Sequence, residues 1–162
     1  MFRIGEGYDR HRFEAGRRLV LGGVEIPHTH GLVGHSDADA VIHALCDALL
    51  GACALGDLGQ FFSDTDPANA GRSSSDFLKD VMVRVRAAGF ELVNADCTIL
   101  TEAPRIAPHR DAMRENLAVR AGVDVDRISV KATRGEGVGP EGEGLALSAR
   151  CVVLVRSVEG DE

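Results

Sequence analysis

The stretch from Ser36 to Gly56 constrains the fold most, because it has the apolar spacing of a helix with one buried side. When successive residues are placed about 100° apart, Ser36, Asp39, His43 and Asp47 share one side. The other side is apolar and carries Ala38, Val41, Ile42, Leu45, Leu49 and Ala52. This pattern predicts a helix that begins at Ser36, with Asp39 as its capping partner, and ends at Gly56. The polar stripe is predicted to face away from the buried side of the helix.

Strands and further helices are predicted on both sides of this segment. Apolar patterns predict strands at 2–8, 90–101, 128–133 and 145–155, and a short hairpin at 18–26 around Gly22-Gly23. Two more helices are predicted from Ser74 to Gly89 and from Pro108 to Ala121. Because the chain combines alternating helices and strands with hairpins, an α+β fold fits it better than a doubly wound parallel sheet.

Size and charge narrow the classes of function. A chain of 162 residues without an interdomain linker predicts one domain, assigned to residues 1–157, followed by a frayed tail at 158–162. The net charge of −7 and the scarcity of aromatic residues argue against nucleic-acid binding. No apolar run approaches the ~18 residues that span a bilayer, and the first residues lack the apolar stretch of a signal peptide. A cytoplasmic protein is expected.

The four cysteines, at positions 46, 53, 97 and 151, contain no Cys-x-x-Cys pair, which excludes a zinc ribbon or finger. Cys46 and Cys53 are separated by a helical rise of roughly 10 Å, beyond the reach of a disulfide. All four are expected to be reduced and mostly buried.

Asp9, His11 and His43 are the candidate metal ligands. Asp9 and His11 are two residues apart, so an extended backbone points both side chains to the same face. Asp39 and Asp47 lie four residues on either side of His43, where one of them could accept its second ring N–H. Two histidines and one aspartate suit Zn²⁺ with a position left open for substrate. From spacing alone, a chance Asp-x-His and a solvated His–Asp pair remain the more common alternatives.

The loops offer weaker signals. Lys131, Thr133, Arg134 and the glycines that follow have the composition of an anion-binding segment, and residues 137–142 match G-x-G-x-x-G. A strand follows that match and the loop is rich in glutamate, so composition alone favours a flexible hairpin loop. Aspartates at 57, 64 and 66 are typical of turns, or of sugar-hydroxyl binding near a metal. His28, His30 and His109 are interpreted as structural or surface residues.

Several strings occur together in one order along the chain. They are Asp9-Arg-His11, Gly34-His-Ser-Asp-Ala-Asp39, His43-Ala-Leu-Cys-Asp47-Ala-Leu-Leu-Gly, Leu55-Gly-Asp-Leu-Gly59, Phe62-Ser-Asp-Thr-Asp-Pro67 and Lys131-Ala-Thr133. With them the chain resembles the 2-C-methyl-D-erythritol 2,4-cyclodiphosphate synthases of the non-mevalonate isoprenoid pathway, from about residue 2 to residue 156. The combination is far more specific than any one string.

The resemblance implies an α+β fold with a mainly antiparallel four-stranded sheet, helices on one face and a small hairpin. It also implies a homotrimer around a threefold axis, with active sites between neighbouring subunits. The implied enzyme is a phosphorus–oxygen lyase acting on 4-diphosphocytidyl-2-C-methyl-D-erythritol 2-phosphate. The 2-phosphate attacks the β-phosphorus, CMP leaves and a cyclic diphosphate forms.

The resemblance also assigns roles to residues. Zn²⁺ is held by Asp9, His11 and His43, and Mg²⁺ or Mn²⁺ by Glu136. His35, Thr133 and Arg134 are the implied catalytic residues. The implied substrate-binding residues are Asp9, His11, His35, Ser36, Asp57, Leu58, Gly59, Phe62, Asp64, Thr65, Asp66, Ala103, Pro104, Arg105, Lys131, Thr133, Arg134 and Glu136. The cytidine pocket, from Ala103 to Arg105 with Thr133, is supplied by the adjacent subunit.

The chain departs from the family pattern in its phosphate segment. Arg134 stands where the family commonly has a phosphate-contacting Thr, and residues 139–144 form a loop about two residues shorter than in many members. Arg105 and Ala107 stand where some members have Lys and Leu. Two other functions stay open: a metal-dependent phosphoesterase with the same triad, and a non-catalytic trimer that binds nucleotides or isoprenoid diphosphates.

Overall fold

A five-stranded mixed sheet forms one layer of the computed structural model, which describes residues 1–63, 65–69 and 72–158. Its strands are β1 (Phe2–Ala15), β4 (His30–Leu32), β5 (Phe90–Leu100), β6 (Ile128–Thr133) and β7 (Ala146–Ser157), in the spatial order β4-β1-β7-β5-β6. A separate hairpin is formed by β2 (Leu19–Leu21) and β3 (Val24–Ile26). The α+β class and the hairpin are confirmed.

The helices are α1 (Ala40–Ala52), α2 (Leu58–Phe61), α3 (Ser74–Ala87), α4 (Arg110–Ala121) and α5 (Gly139–Gly142). The described residues also form 3₁₀ turns at Pro67–Asn69, Ala107–His109 and Val125–Arg127. No helix within the described ranges is long and apolar enough to cross a membrane.

The predicted four-stranded sheet is wrong by one strand, and β1 is longer than predicted. Pairing between β1 and β7 runs without a break from Phe2 opposite Arg156 to Arg12 opposite Ala146, so the strand continues through Asp9 and His11. Beyond that point β4 pairs antiparallel with the end of β1. At three residues, β4 is too short to show an apolar alternation in the sequence.

The connection between β6 and β7 is not a hairpin loop, which corrects the interpretation of that segment. Strand β6 pairs parallel with β5, whereas β7 pairs antiparallel with β5 and β1. Because β5 lies between β6 and β7 in the sheet, the connecting segment passes β5 to reach β7, and it includes α5. Within it, the buried Glu141 accepts a hydrogen bond from Arg10 Nε at 2.8 Å and another from Ser148, which anchors the segment to the sheet.

Helix α1 lies directly on β1 and β7 because β1 presents two glycines to it. A Cβ added to Gly5 would come within 1.9 Å of the Ala48 carbonyl oxygen, and one added to Gly7 within 1.9 Å of the Ala44 carbonyl oxygen. Real Cβ atoms do not approach so closely. The absence of side chains at these two positions therefore sets the separation of helix and strand.

Helix α1 begins at Ala40 rather than at Ser36. Asp39 has extended backbone angles (φ −71°, ψ 90°) and is the N-cap, its side chain accepting the backbone N–H of Ile42 at 3.1 Å. The same carboxylate accepts the N–H groups of Gly22 and Gly23 and is fully buried. Asp39 therefore does not belong to a stripe that faces away from the core, because it precedes the helix instead of lying on it.

Helix α1 covers the face of the sheet to which Gly5 and Gly7 point, and the opposite face carries exposed apolar side chains at the start of β1. Gly5 and Gly7 of β1 are buried, while Phe2, Ile4 and Tyr8 are 64%, 73% and 45% exposed. This alternation places the last three on the uncovered face. The four cysteines are free and buried, as predicted. Of the predicted tail, residues 159–162 lie outside the described residues.

Candidate functional site

Asp9, His11 and His43 converge at one point, as predicted for a metal site. In the extended β1, Asp9 and His11 point to the same face, and α1 brings His43 to them. Asp9 Oδ2 lies 2.7 Å from His11 Nε2 and 3.0 Å from His43 Nδ1. The two ring nitrogens are 3.4 Å apart. One carboxylate oxygen and two ring nitrogens therefore share a space that fits a divalent cation, and the set suits Zn²⁺.

The other nitrogen of each ring is also engaged. His11 Nδ1 lies 2.7 Å from the carbonyl oxygen of Val33, and His43 Nε2 lies 2.9 Å from Ser74 Oγ and 3.3 Å from Ser36 Oγ. Each ring is therefore held so that one nitrogen faces the common centre, as in metal sites whose histidines are oriented by neighbouring groups.

The prediction that Asp39 or Asp47 orients His43 is wrong. Asp39 caps α1 instead, and Asp47 Oδ1 accepts the backbone N–H of Leu58 at 2.7 Å. Spacing along a helix shows which residues share a side, but it does not show the stronger partners that other segments offer. Burial is the main influence on the pKa of Asp47 and raises it.

The charges within the triad are coupled. Burial alone raises the pKa of Asp9, but the His11 and His43 rings beside its carboxylate outweigh burial and hold that pKa well below its usual range. Burial opposes a charge on the His11 ring, yet the Asp9 carboxylate raises its pKa above the ordinary value. The site therefore keeps Asp9 as an anion, the form that binds a cation.

A cavity of about 460 Å³ opens beside the triad. Of the predicted substrate residues, His35, Ser36, Leu58, Gly59 and Phe62 line it together with the triad. Sequence reasoning missed Asn69 and Phe77 in its wall. Phe77 lies one turn into α3, and its ring centroid is 4.7 Å from that of Phe62. An apolar residue at this helical position has the spacing of a core residue, so the sequence carries no separate signal that it lines a cavity.

A second cavity, of about 440 Å³, lies at the ends of β5 and β6. The predicted residues Pro104, Arg105, Thr133 and Arg134 line it. Glu102 lines it as well, and its carboxylate is 3.2 Å from the Arg134 guanidinium. The predicted Ala103 is adjacent, and its carbonyl oxygen accepts the Thr101 hydroxyl at 2.6 Å.

The sequence model of the YgbB family matches residues 2–156. This chain belongs to the YgbB family. It is 51% identical to the 2-C-methyl-D-erythritol 2,4-cyclodiphosphate synthase of Syntrophotalea carbinolica, over 100% of this chain and 99% of that protein. It is 53% identical to the protein of the same name from Trichlorobacter lovleyi, over 94% of this chain and 98% of that protein. The resemblance inferred from the motifs is confirmed.

A solved structure of 2C-methyl-D-erythritol-2,4-cyclodiphosphate synthase, in its CDP-bound form, matches the fold of this YgbB chain with a TM-score of 0.88. The two sequences are 42% identical, and the match covers 95% of this chain and 100% of that one. The likeness therefore extends over the whole domain, including the strands and helices that carry both cavities.

The other predicted site residues that the structure describes line neither cavity in the YgbB chain. Asp57 caps α2 by accepting the Gln60 N–H, and Lys131 Nζ is 2.6 Å from the Asp96 carboxylate. Glu136 is exposed and has a positive φ of 53°. Thr65 and Asp66 are exposed beside the 3₁₀ turn at Pro67–Asn69, and Asp64 lies outside the described residues.

Proposed function

We propose that this protein converts 4-diphosphocytidyl-2-C-methyl-D-erythritol 2-phosphate into 2-C-methyl-D-erythritol 2,4-cyclodiphosphate and CMP, in isoprenoid biosynthesis. The observation that carries the proposal is the convergence of Asp9, His11 and His43 beside a cavity, in a chain that aligns end to end with proteins named for this synthesis. The CDP-bound relative supports a cytidine nucleotide as part of the substrate.

The reaction joins two anionic groups of one molecule, so folding the substrate and reducing its charge repulsion are the main requirements. In the proposal, Asp9, His11 and His43 hold Zn²⁺, and Glu136 contributes to a Mg²⁺ or Mn²⁺ site. Divalent cations bound there would supply positive charge to the phosphate oxygens, which a chain of net charge −7 otherwise lacks.

The protein's own polar groups orient the substrate. In the proposal His35 and Ser36, which line the triad cavity, donate hydrogen bonds to the 2-phosphate and hold it near the β-phosphorus. Thr133 and Arg134 bind the diphosphate, and the segment that includes Pro104 and Arg105 receives the cytidine. Because CMP leaves without consumption of water, the enzyme is proposed to be a phosphorus–oxygen lyase.

A homotrimer is part of the proposal. Among the described residues, the triad cavity and the cavity at the ends of β5 and β6 share no lining residue. In the proposal, a neighbouring copy places its second cavity beside the triad, so that one substrate contacts both. The uncovered sheet face, with its exposed Phe2, Ile4 and Tyr8, offers an apolar surface for that association. A trimer would bury these side chains around a threefold axis.

Phosphorus NMR of the products tests the proposal. Zinc-loaded protein with Mg²⁺ and the cytidylated substrate should yield CMP and a cyclic diphosphate, and the same protein treated with a chelator should yield neither. Release of inorganic phosphate or of a linear diphosphate would contradict cyclisation and favour a hydrolase. A protein that binds zinc but produces no turnover would favour a binding protein.

A further inference from the structure

Ser74 is a buried polar residue that the proposed reaction does not use. It is the first residue of α3, has no exposed surface, and places its hydroxyl 2.9 Å from His43 Nε2. The same hydroxyl is hydrogen bonded to Asp37 Oδ1, and the Ser74 backbone N–H donates to Asp37 Oδ2 at 3.1 Å. Ser74 therefore connects a carboxylate to the outer nitrogen of a triad histidine.

The chemistry of these groups fixes where the protons lie. The Asp37 carboxylate can only accept, and it also receives the backbone N–H of Asp39 at 3.3 Å. The single Ser74 hydroxyl proton therefore points to Asp37, which leaves only oxygen lone pairs towards His43. For a hydrogen bond to form there, His43 Nε2 must carry the proton and donate it.

A proton on Nε2 has a consequence at the other side of the ring. A neutral imidazole protonated at Nε2 has its lone pair at Nδ1. In this structure Nδ1 is the atom that faces Asp9 Oδ2 and His11 Nε2, at 3.0 and 3.4 Å. The hydrogen bond from His43 Nε2 to Ser74 therefore leaves the lone pair of Nδ1 pointing to the space where a metal ion would bind.

We propose that Ser74 is a positioning residue, itself oriented by Asp37, that holds His43 as an Nδ1 ligand. The inference deepens the proposed function and rests on its metal site. Ser36 is the weaker partner, because its hydroxyl lies 3.3 Å from His43 Nε2 and 3.4 Å from Ser74 Oγ. His11 is held differently, by the Val33 carbonyl.

Ser75 provides a matched control. It is the next residue of α3 and is also buried, but its hydrogen bond to Ser73 Oγ is made by its backbone N–H, which an alanine would keep. Ser74→Ala and Ser75→Ala therefore remove the same atom from adjacent buried positions, and only the first removes the partner of His43. Thermal unfolding of the metal-free proteins records any general loss of stability.

The measured quantity is affinity for Zn²⁺ alone, determined by competition with a chromophoric chelator. We expect Ser74→Ala to weaken Zn²⁺ binding about 10- to 100-fold, the usual effect of removing a group that orients a ligand, and Ser75→Ala to change it by less than about 2-fold. Ser74→Thr, which keeps a hydroxyl, should recover most of the affinity. Equal affinities in Ser74→Ala and Ser75→Ala would overturn the proposal.

Nitrogen-detected NMR of the imidazole groups tests the wild-type protein directly. In the zinc-loaded wild type, His43 should carry its proton on Nε2 and bind through Nδ1; a proton on Nδ1 would overturn the inference. Both measurements use Zn²⁺ without substrate, so a wild type that binds Zn²⁺ but forms no product contradicts only the proposed reaction. A wild type that does not bind Zn²⁺ overturns both.

Discussion

Replacing Asp39 tests how this chain joins its first hairpin to the helix that carries His43. Its buried carboxylate accepts three backbone N–H groups: Ile42 at 3.1 Å, Gly22 at 2.9 Å and Gly23 at 2.7 Å. One side chain therefore accepts hydrogen bonds both from the first turn of α1 and from the turn between β2 and β3. Alanine would leave all three donors without this acceptor.

The expected cost follows from these three hydrogen bonds. Loss of an N-cap costs about 1 kcal/mol, and a donor left unsatisfied in a buried place costs about 1–3 kcal/mol. Gly22 is such a buried donor, whereas Gly23 is exposed and water can replace the lost acceptor there, so Asp39→Ala should lower the free energy of unfolding by about 3 kcal/mol at pH 7. Asp39→Asn should cost about half as much, because its amide oxygen still accepts while its NH₂ group cannot.

The pH dependence provides a second, independent test. Burial raises the pKa of Asp39 to about 6, although the backbone N–H groups oppose this. Because the folded state binds the proton more tightly, this contribution to stability is complete below the unfolded pKa of 3.8 and is lost as pH rises through about 6. The difference in unfolding free energy between wild type and Asp39→Asn should therefore grow by about 1 kcal/mol from pH 7 to pH 5.

Urea unfolding of metal-free protein, at one protein concentration, measures both quantities. The difference between wild type and Asp39→Asn cancels the pH dependence that the two proteins share. A cost of less than 1 kcal/mol for Asp39→Ala would refute the assignment of three hydrogen bonds to this side chain. A difference that shrinks towards pH 5 would refute the raised pKa.

Two further predictions concern the site. His43→Ala should abolish zinc binding and turnover but leave the chain folded, because His43 faces the cavity while the core residues of α1 are unchanged. Metal analysis measures the bound zinc, and circular dichroism checks the fold. The control is His28→Ala, which changes an exposed histidine outside the cavity. Stoichiometric zinc in His43→Ala would show that the ligand assignment is wrong. Arg134→Thr should change turnover by less than about 10-fold, or about 1.4 kcal/mol of barrier, because the Arg134 side chain is 67% exposed and already paired with Glu102. A near-total loss in the product assay would instead make Arg134 an essential phosphate contact.

Local periodicity predicted on which side of its own strand or helix each triad residue lies, and the resemblance to the synthase family joined the three residues as one set of metal ligands. Asp9 and His11 share a face because the strand continues through them, and His43 lies on the cavity side of α1, as its helical position indicated. Each inference needed only the repeat of one element, two residues for a strand and 3.6 for a helix. The same reasoning predicted the hairpin around Gly22-Gly23.

The groups that support the triad could not be predicted in this way. Ser74 is 31 residues from His43 and 37 from Asp37, and no pattern within one element relates these positions. The spacing of Asp39 fitted the polar side of the predicted helix. In the structure Asp39 is instead the buried N-cap, because its carboxylate also accepts N–H groups of the hairpin. The parallel pairing of β5 with β6 also depends on segments far apart in the sequence.

The distance between the ligands depends on a contact that no metal-binding motif contains. Gly7 lies two residues before Asp9, and the carbonyl oxygen of Ala44, next to His43, is the atom that a Cβ on Gly7 would meet at 1.9 Å. Any side chain at Gly7 would therefore push α1 away from β1 at the level of the site, and His43 would move away from Asp9. Asp-x-His and a helical His supply the donor atoms, but it is the bare backbone of β1 at Gly5 and Gly7 that lets these donors approach within 3.4 Å of one another. A sequence that kept the three ligands and replaced these glycines would keep the metal-binding motif and lose the metal site.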